Sequence, residues 1–187
     1  MQRIWIVLGC IGLFAVIVIF VAKSSYNGLA TSAKDIDQQW AQVLSDYKSR
    51  AHLVWNLVDT VSGVATFDKS ALTALIHARN SVGTIKVTDS APNDASTLQQ
   101  FEQAQDNLSN ALSRLMVVAE NDPQLKSNQG FLDLKAQLDG TENRIAIERD
   151  KFNQAVQDYN NRVVGFPTMI VAHMGGFAAK PCFSAAP

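Results

Sequence analysis

From Ile4 to Ala22 the chain carries no charged side chain. A helix rises about 1.5 Å per residue, so this run is about 28 Å long and matches the hydrocarbon core of a bilayer. Arg3 and Lys23 bracket it, and Trp5 stands where an interfacial aromatic belongs. Residues 1–23 therefore read as a membrane anchor, and the rest must fold outside the lipid. Two other readings compete. Met1-Gln2-Arg3 would suit a secretory signal, but such signals have apolar regions of only ~7–15 residues, and Phe20-Val21-Ala22 is a poor small-x-small cleavage site. Val7-Leu8-Gly9-Cys10 mimics a lipid-attachment pattern, yet cleavage there would leave a greasy spanning segment behind the lipid. An uncleaved single-pass helix fits the residues best. Gly9, Gly12 and Ala15 form a small-residue stripe on which anchors can pack, although the same residues also suit an anchor that packs on nothing.

The positive-inside count barely separates the two orientations: Arg3 lies on one side, Lys23 and Lys34 on the other. A short basic start favours a translocated body, so the expected location is the bacterial inner (cytoplasmic) membrane with the body outside the cytoplasm.

Beyond the anchor the composition is that of a water-soluble helical protein. The chain has 187 residues, enough for one domain and an anchor, and a net charge of −1, which offers nucleic acid no basic face. Proline falls only at 92, 123, 167, 181 and 187, at points of punctuation. Two cysteines, Cys10 and Cys182, are too few for a disulfide framework or a closed zinc site.

The body divides into helices by apolar periodicity. Ile36, Trp40, Val43, Tyr47, Val54, Val58, Val61 and Ala65 recur at steps of three and four, with Ala51 filling the longer gap. This helix can run on from the anchor, with Gly28 its weak point. Thr66-Phe67-Asp68 reads as a stop and restart, with Asp68 as N-cap, and a shorter helix carries Leu72, Leu75, Ile76, Arg79 and Val82. The stretch 88–94 is loop-like. A third helix has the seam Leu98, Phe101, Gln105, Leu108, Leu112, Leu115 and Ala119. Asn121-Asp122-Pro123 ends it and caps the next turn, and Gly130 permits a bend.

The last long helix has the seam Phe131, Leu134, Leu138, Thr141, Ile145, Phe152, Val156, Tyr159 and Val163, with Glu148 at one apolar position. Gly165 and Pro167 stop it. The expected architecture is all-α: a single transmembrane helix followed by an antiparallel bundle of about four helices, the first and last long. Its parts are an anchor (1–23), a bundle (24–166) and a short apolar tail (167–187) that docks on the bundle or on a neighbour.

Beside that last seam runs a polar stripe, Glu142, Arg149, Asn153 and Asn160, with Asn143 and Arg144 nearby. The first helix offers Arg50, His52, Asn56 and Asp59 opposite it. Buried polar groups need partners. The expectation is a structural network of Arg50, Asn56, Glu142, Asn143, Arg149, Asn153 and Asn160 that fixes helix register. A ligand site in the bundle core is the sharper alternative. The motifs of chemistry are missing: no Glu-x-x-His, no HExxH, no Gly-rich phosphate loop, and no nucleophile with a matching base. No catalytic residue, metal ligand or cofactor site is therefore assigned.

Several segments together resemble the LemA family. They are Tyr26-Asn27-x-Leu29, Trp40 and Arg50-Ala51-x-Leu53-Val54-x-Asn56-Leu57-Val58 in the front half. In the second half they are Glu120-x-x-Pro123-x-Leu125-Lys126-x-Asn128-x-x-Phe131, then Gly140-Thr141-Glu142-Asn143-Arg144-Ile145-Ala146, Arg149, Phe152-Asn153, Tyr159-Asn160, Phe166-Pro167, Gly176-Phe177 and Phe183. The resemblance extends from Tyr26 to the tail. The family pattern has an acidic residue where His52 stands, proline where Trp55 stands and tyrosine where Phe152 stands. A proline kink in the front helix and an acid–base pair at position 52 therefore do not carry over. The resemblance implies an anchored helical bundle without enzymatic activity. The expected role is a scaffold that self-associates in the cell envelope, in contact with membrane lipid, its own copies and other envelope proteins but not nucleic acid. A binding module that docks a peptide or envelope protein in a groove is the rival.

Overall fold

The computed structural model describes residues 2–64, 67, 69–84 and 93–184. Among these, all regular structure is helical: α1 (Gln2–Ser62), α2 (Lys69–Thr84), α3 (Ala95–Glu120), α4 (Pro123–Lys126), α5 (Gln129–Val164) and α6 (Thr168–Gly175). The bundle expected from periodicity is therefore present, with α1, α2, α3 and α5 as its main rods and α4 and α6 as short additions.

α1 runs for 61 residues without a break, about 90 Å. The expected boundary at residue 23 falls inside it. Gly28 does not interrupt it, and the Arg162 guanidinium rests against it, 3.4 Å from where a Cβ would lie. The first part of α1 exposes apolar residues on every side, including Leu13, Phe14, Ile17 and Phe20. The later part turns one face inward. α5 packs along that face in the opposite direction, since Gly28 meets Arg162 whereas Asp46 meets Arg144 (3.6 Å).

The ends of the elements are set by local chemistry. Asp94 caps α3 through the Ser96 amide at 3.0 Å. Asp122 caps α4, where Pro123 occupies the first turn and lacks only an N–H that the helix would leave unpaired. α5 begins one residue before Gly130, capped by Asn128 on the Phe131 amide at 3.1 Å. The bend expected at Gly130 is therefore made by the capping turn ahead of it. Ala65, Asp68 and the loop residues 88–92 lie outside the described residues.

The core has two halves. One gathers Leu29, Ile36, Trp40, Tyr47, Phe101, Ile145, Phe152 and Tyr159 toward the apolar start of α1. The other gathers Val54, Leu57, Val61, Leu75, Leu108, Leu115, Phe131 and Leu138 at the far end. The seams of α3 and α5 are buried almost as read, but α1 differs at one step. Arg50, at 1% exposure, fills the gap between Tyr47 and Val54, and Ala51 is only half-buried.

Candidate functional site

The interface between the two core halves is polar. Arg50 lies between Tyr47 and Val54, Gln105 between Phe101 and Leu108, and Thr141 between Leu138 and Ile145; all three are buried. Each occupies a seam position of its own helix, so three helices contribute one polar layer. One terminal nitrogen of the Arg50 guanidinium donates to Glu142 Oε2 at 2.7 Å and Ser109 Oγ at 2.8 Å. The other donates to the Gln105 side-chain and main-chain oxygens. The Tyr47 ring lies 5.1 Å below the guanidinium carbon. Burial pushes the Tyr47 hydroxyl above its ordinary pKa, against the opposing pull of Arg149 and Arg50. Arg50 Nε is buried and has no hydrogen-bond partner in the structure, a desolvation cost that the other four contacts offset.

A second cluster lies nearer the apolar start of α1 and involves the tail. After α6, Gly176 adopts φ +72°, the left-handed conformation that reverses the chain. Residues 177–184 then run back along α5 in extended form. Asn160 donates from Nδ2 to the Lys180 carbonyl and accepts from the Lys180 amide, both at 2.9 Å. Asn153 does the same for Phe183, at 3.2 and 2.8 Å. The spacing follows from geometry. Seven residues of helix rise about 10.5 Å, and three residues of extended chain cover about 10 Å. Two asparagines seven apart thus offer amide edges to residues three apart on the strap.

The end of the strap is fixed by charge. Glu102 on α3 accepts from Arg149 at 2.6 Å and from the Ser184 amide at 2.9 Å, while Arg149 also donates to the Ser184 carbonyl. Phe183 enters an aromatic cluster, stacked on Trp40 at 5.9 Å and edge-on to Phe152 at 5.3 Å. Lys180 reaches Asp37 on α1 at 3.6 Å.

The stripe read from the sequence therefore divides. Glu142 joins Arg50 across α1 and α5, the interhelical role expected of it. Arg149 bridges α5 to α3 through Glu102 and also holds the tail at Ser184, whereas Asn153 and Asn160 hold only the tail. Asn56 and Asn143 are exposed and belong to neither cluster. Asn56 is off the buried face defined by Val54, Leu57 and Val58, which explains its exclusion. Gly9, Gly12 and Ala15 lie on the exposed surface of α1, with open space around the two glycines.

Sequence reading missed Glu102, Gln105, Ser109, Lys180 and Ser184. Gln105 was the one with a signal: a polar side chain at a seam position. Among the described residues no group of three or more His, Cys, Asp and Glu could hold a metal ion. His52 and His173 are exposed. A shallow cavity lined by Ser109, Leu112, Met116, Leu138 and Glu142 opens beside the polar layer.

Fold and site together define a helical bundle whose polar groups tie helices and tail together, continuous with one helix long and apolar enough to cross a membrane. The chain belongs to the LemA family, whose model matches residues 39–187. Over 78 residues it is 33% identical to magnetosome proteins MamQ 1 and MamQ 2 of Paramagnetospirillum magneticum. It is 32% identical over the same length to magnetosome protein MamQ of Magnetospirillum gryphiswaldense. These matches cover 42% of this chain and 29% of each relative. The family and the apolar helix fit a membrane-associated helical protein.

Proposed function

We propose that this protein is a non-enzymatic scaffold of the bacterial cell envelope, anchored in the inner membrane by the start of α1 and self-associating through its neighbours. One observation carries the reading: α1 is a single rod that holds the anchor at one end and the bundle core at the other. A rod of this kind transmits position, because the bundle cannot swivel on a flexible linker. The charged groups between the helices are occupied inside the fold, Arg50 by Glu142, Ser109 and Gln105, and Arg149 by Glu102 and Ser184. Self-association draws support from the stripe Gly9, Gly12 and Ala15 and from Leu132 and Ile147, which face outward on α5. The body is assigned to the outside of the cytoplasm because a short basic start ahead of an apolar run favours a translocated body.

The test is the mass of the full-length protein in detergent or nanodiscs at micromolar concentration. An oligomer is expected; a monomer would overturn self-association. A binding module is the second reading. It is favoured by an apolar groove between α2 and α3, lined by Ala71, Ala74, Val117 and Val118. Crosslinking in cells separates the two: crosslinks between copies support the scaffold, and one dominant foreign partner supports the module.

A further inference from the structure

The end of the bundle nearest the anchor exposes a second apolar surface. Val164, Phe166, Met169, Ile170 and Met174 are all large and exposed, with Phe166 at 82% and Met174 at 83%. They belong to the end of α5, the turn after it and α6. On the opposite side of α6, Ala172 is buried against the core. The helix is thus seated on the bundle by one face and unpartnered on the other.

Its height above the membrane can be read from α1. The apolar run ends at Ala22. Arg162 is level with Gly28, about 9 Å further along the helix axis. α5 runs toward the anchor, so Val164 and Phe166 are lower still. Gly175, at the end of α6, lies against Tyr26, where a Cβ would come within 3.4 Å of the ring. Tyr26 stands about 6 Å beyond Ala22. The headgroup zone of a bilayer is about 5–8 Å deep on each side of the hydrocarbon. With α1 spanning the bilayer up to Ala22, these heights put the end of α6 and Phe166 within the depth of the headgroup zone on the side where α1 emerges.

Charge agrees with that placement. No Asp or Glu occurs before Asp35 or between Tyr159 and Ser184, whereas Lys23, Lys34, Arg162 and Lys180 fall within those two stretches. Asp37 offsets Lys180, which leaves Lys23, Lys34 and Arg162 as an excess of cations beside the apolar side chains, the combination that an anionic lipid surface binds.

We infer that α6, with Phe166 and Val164, is a second membrane contact that lies in the headgroup region of an anionic phospholipid bilayer and sets the tilt of the bundle on its anchor. The inference rests on α1 spanning the bilayer. An apolar rim with no lipid on it would leave five large side chains in water. Seated in the interface, these side chains make the bundle touch the membrane at two places rather than one.

The test uses the full-length protein with Cys10→Ser and Cys182→Ser, reconstituted in vesicles of phosphatidylcholine and phosphatidylglycerol. Single nitroxide labels are placed at Phe166→Cys, Met174→Cys, Phe14→Cys and Ile147→Cys. Collision with oxygen, which partitions into lipid, is compared with collision with a water-soluble nickel chelate. Labels at 166 and 174 are expected to favour oxygen severalfold over the label at 147, with the label at 14 more strongly lipid-like. Labels at 166 and 174 that behave like 147 while 14 remains in lipid would overturn the inference alone. A label at 14 in water would overturn the anchor and the inference together. Labels at 166 and 174 shielded from both reagents, with spin–spin broadening as protein density rises, would assign this surface to a second copy and overturn the lipid contact. The four labelled sites are exposed, so helicity by circular dichroism is expected to match that of the parent.

Discussion

The side-chain amide of Asn153 pairs with the backbone of Phe183 edge to edge, donating to its carbonyl and accepting from its N–H. An asparagine on a helix thus acts as the missing neighbour of an extended strand. Asn160 repeats the pairing at Lys180. Between them the two side chains fix the register of the strap, and the strap in turn delivers Phe183 to the aromatic cluster.

Replacing Asn153 with Ala leaves an amide and a carbonyl of Phe183 unpaired in a part-buried place. The expected loss is about 1–3 kcal/mol of stability, concentrated in the tail. Hydrogen exchange at the amides of Lys180, Phe183 and Ser184 should accelerate while the seam of α3 keeps its protection. Asn160→Ala should behave alike. Unchanged exchange in the tail would show that Phe183 packing alone holds it.

Arg50 and Glu142 separate by burial. Arg50→Ala removes the partner of Gln105 and Ser109 and leaves a cavity, with an expected cost of about 3–5 kcal/mol in thermal or denaturant unfolding. Arg50→Met refills the volume without the charge and should recover most of that stability. Glu142→Gln keeps an acceptor but leaves the buried Arg50 charge without its counter-ion, so a loss of about 1–3 kcal/mol is expected. It should alter stability or assembly and no turnover. A Glu142→Gln protein of full stability that lost a cellular activity would contradict a structural role for the pair.

The Tyr47 hydroxyl is held neutral by burial, its pKa raised in the folded state. The unfolded chain ionises first, near pH 10, and releases its proton while the folded state keeps it. The stability contributed by this group is complete below pH 10 and is lost as pH rises above it. Tyr159 is shifted in the same direction by the same cause. Denaturation midpoints should therefore fall steeply above pH 10, and less steeply in Tyr47→Phe. Equal slopes in the two proteins would place the alkaline loss elsewhere.

Trp55 stands inside α1, with the Arg79 guanidinium 4.0 Å over its ring. Introducing the proline of the family pattern, Trp55→Pro, removes a helix hydrogen bond and this contact with α2. A loss of about 3 kcal/mol or more is expected in an unbroken helix, with α2 the first element to lose exchange protection. A neutral substitution would mean that α1 bends at this point without cost.

Helices were legible because a helix writes its buried face into its own sequence. The steps of three and four in α3 and α5 name Phe101, Leu108, Leu138, Phe152 and Tyr159 as core, and the structure buries them. The same rule explains the one step misread in α1. Arg50 has the right spacing for the core but the wrong chemistry, and Ala51 looked the better candidate. What lets Arg50 occupy that position comes from Gln105 and Ser109, 55 and 59 residues away on another helix.

The tail was illegible for a different reason. Extended chain against a helix has no apolar period of its own, so residues 177–184 carry no pattern that says where they lie. An asparagine that grips a strap has the same appearance in sequence as one that bridges two helices, since both need a half-buried amide on the same stripe.

By itself the sequence determined the apolar leader, the helical rods and their inward faces, because these depend on composition and on spacing within one segment. Only the tertiary structure decided which polar groups meet, that Arg149, Asn153 and Asn160 hold the tail, and that α6 ends beside Tyr26. Those outcomes depend on distances between segments, and no local period encodes a distance between segments.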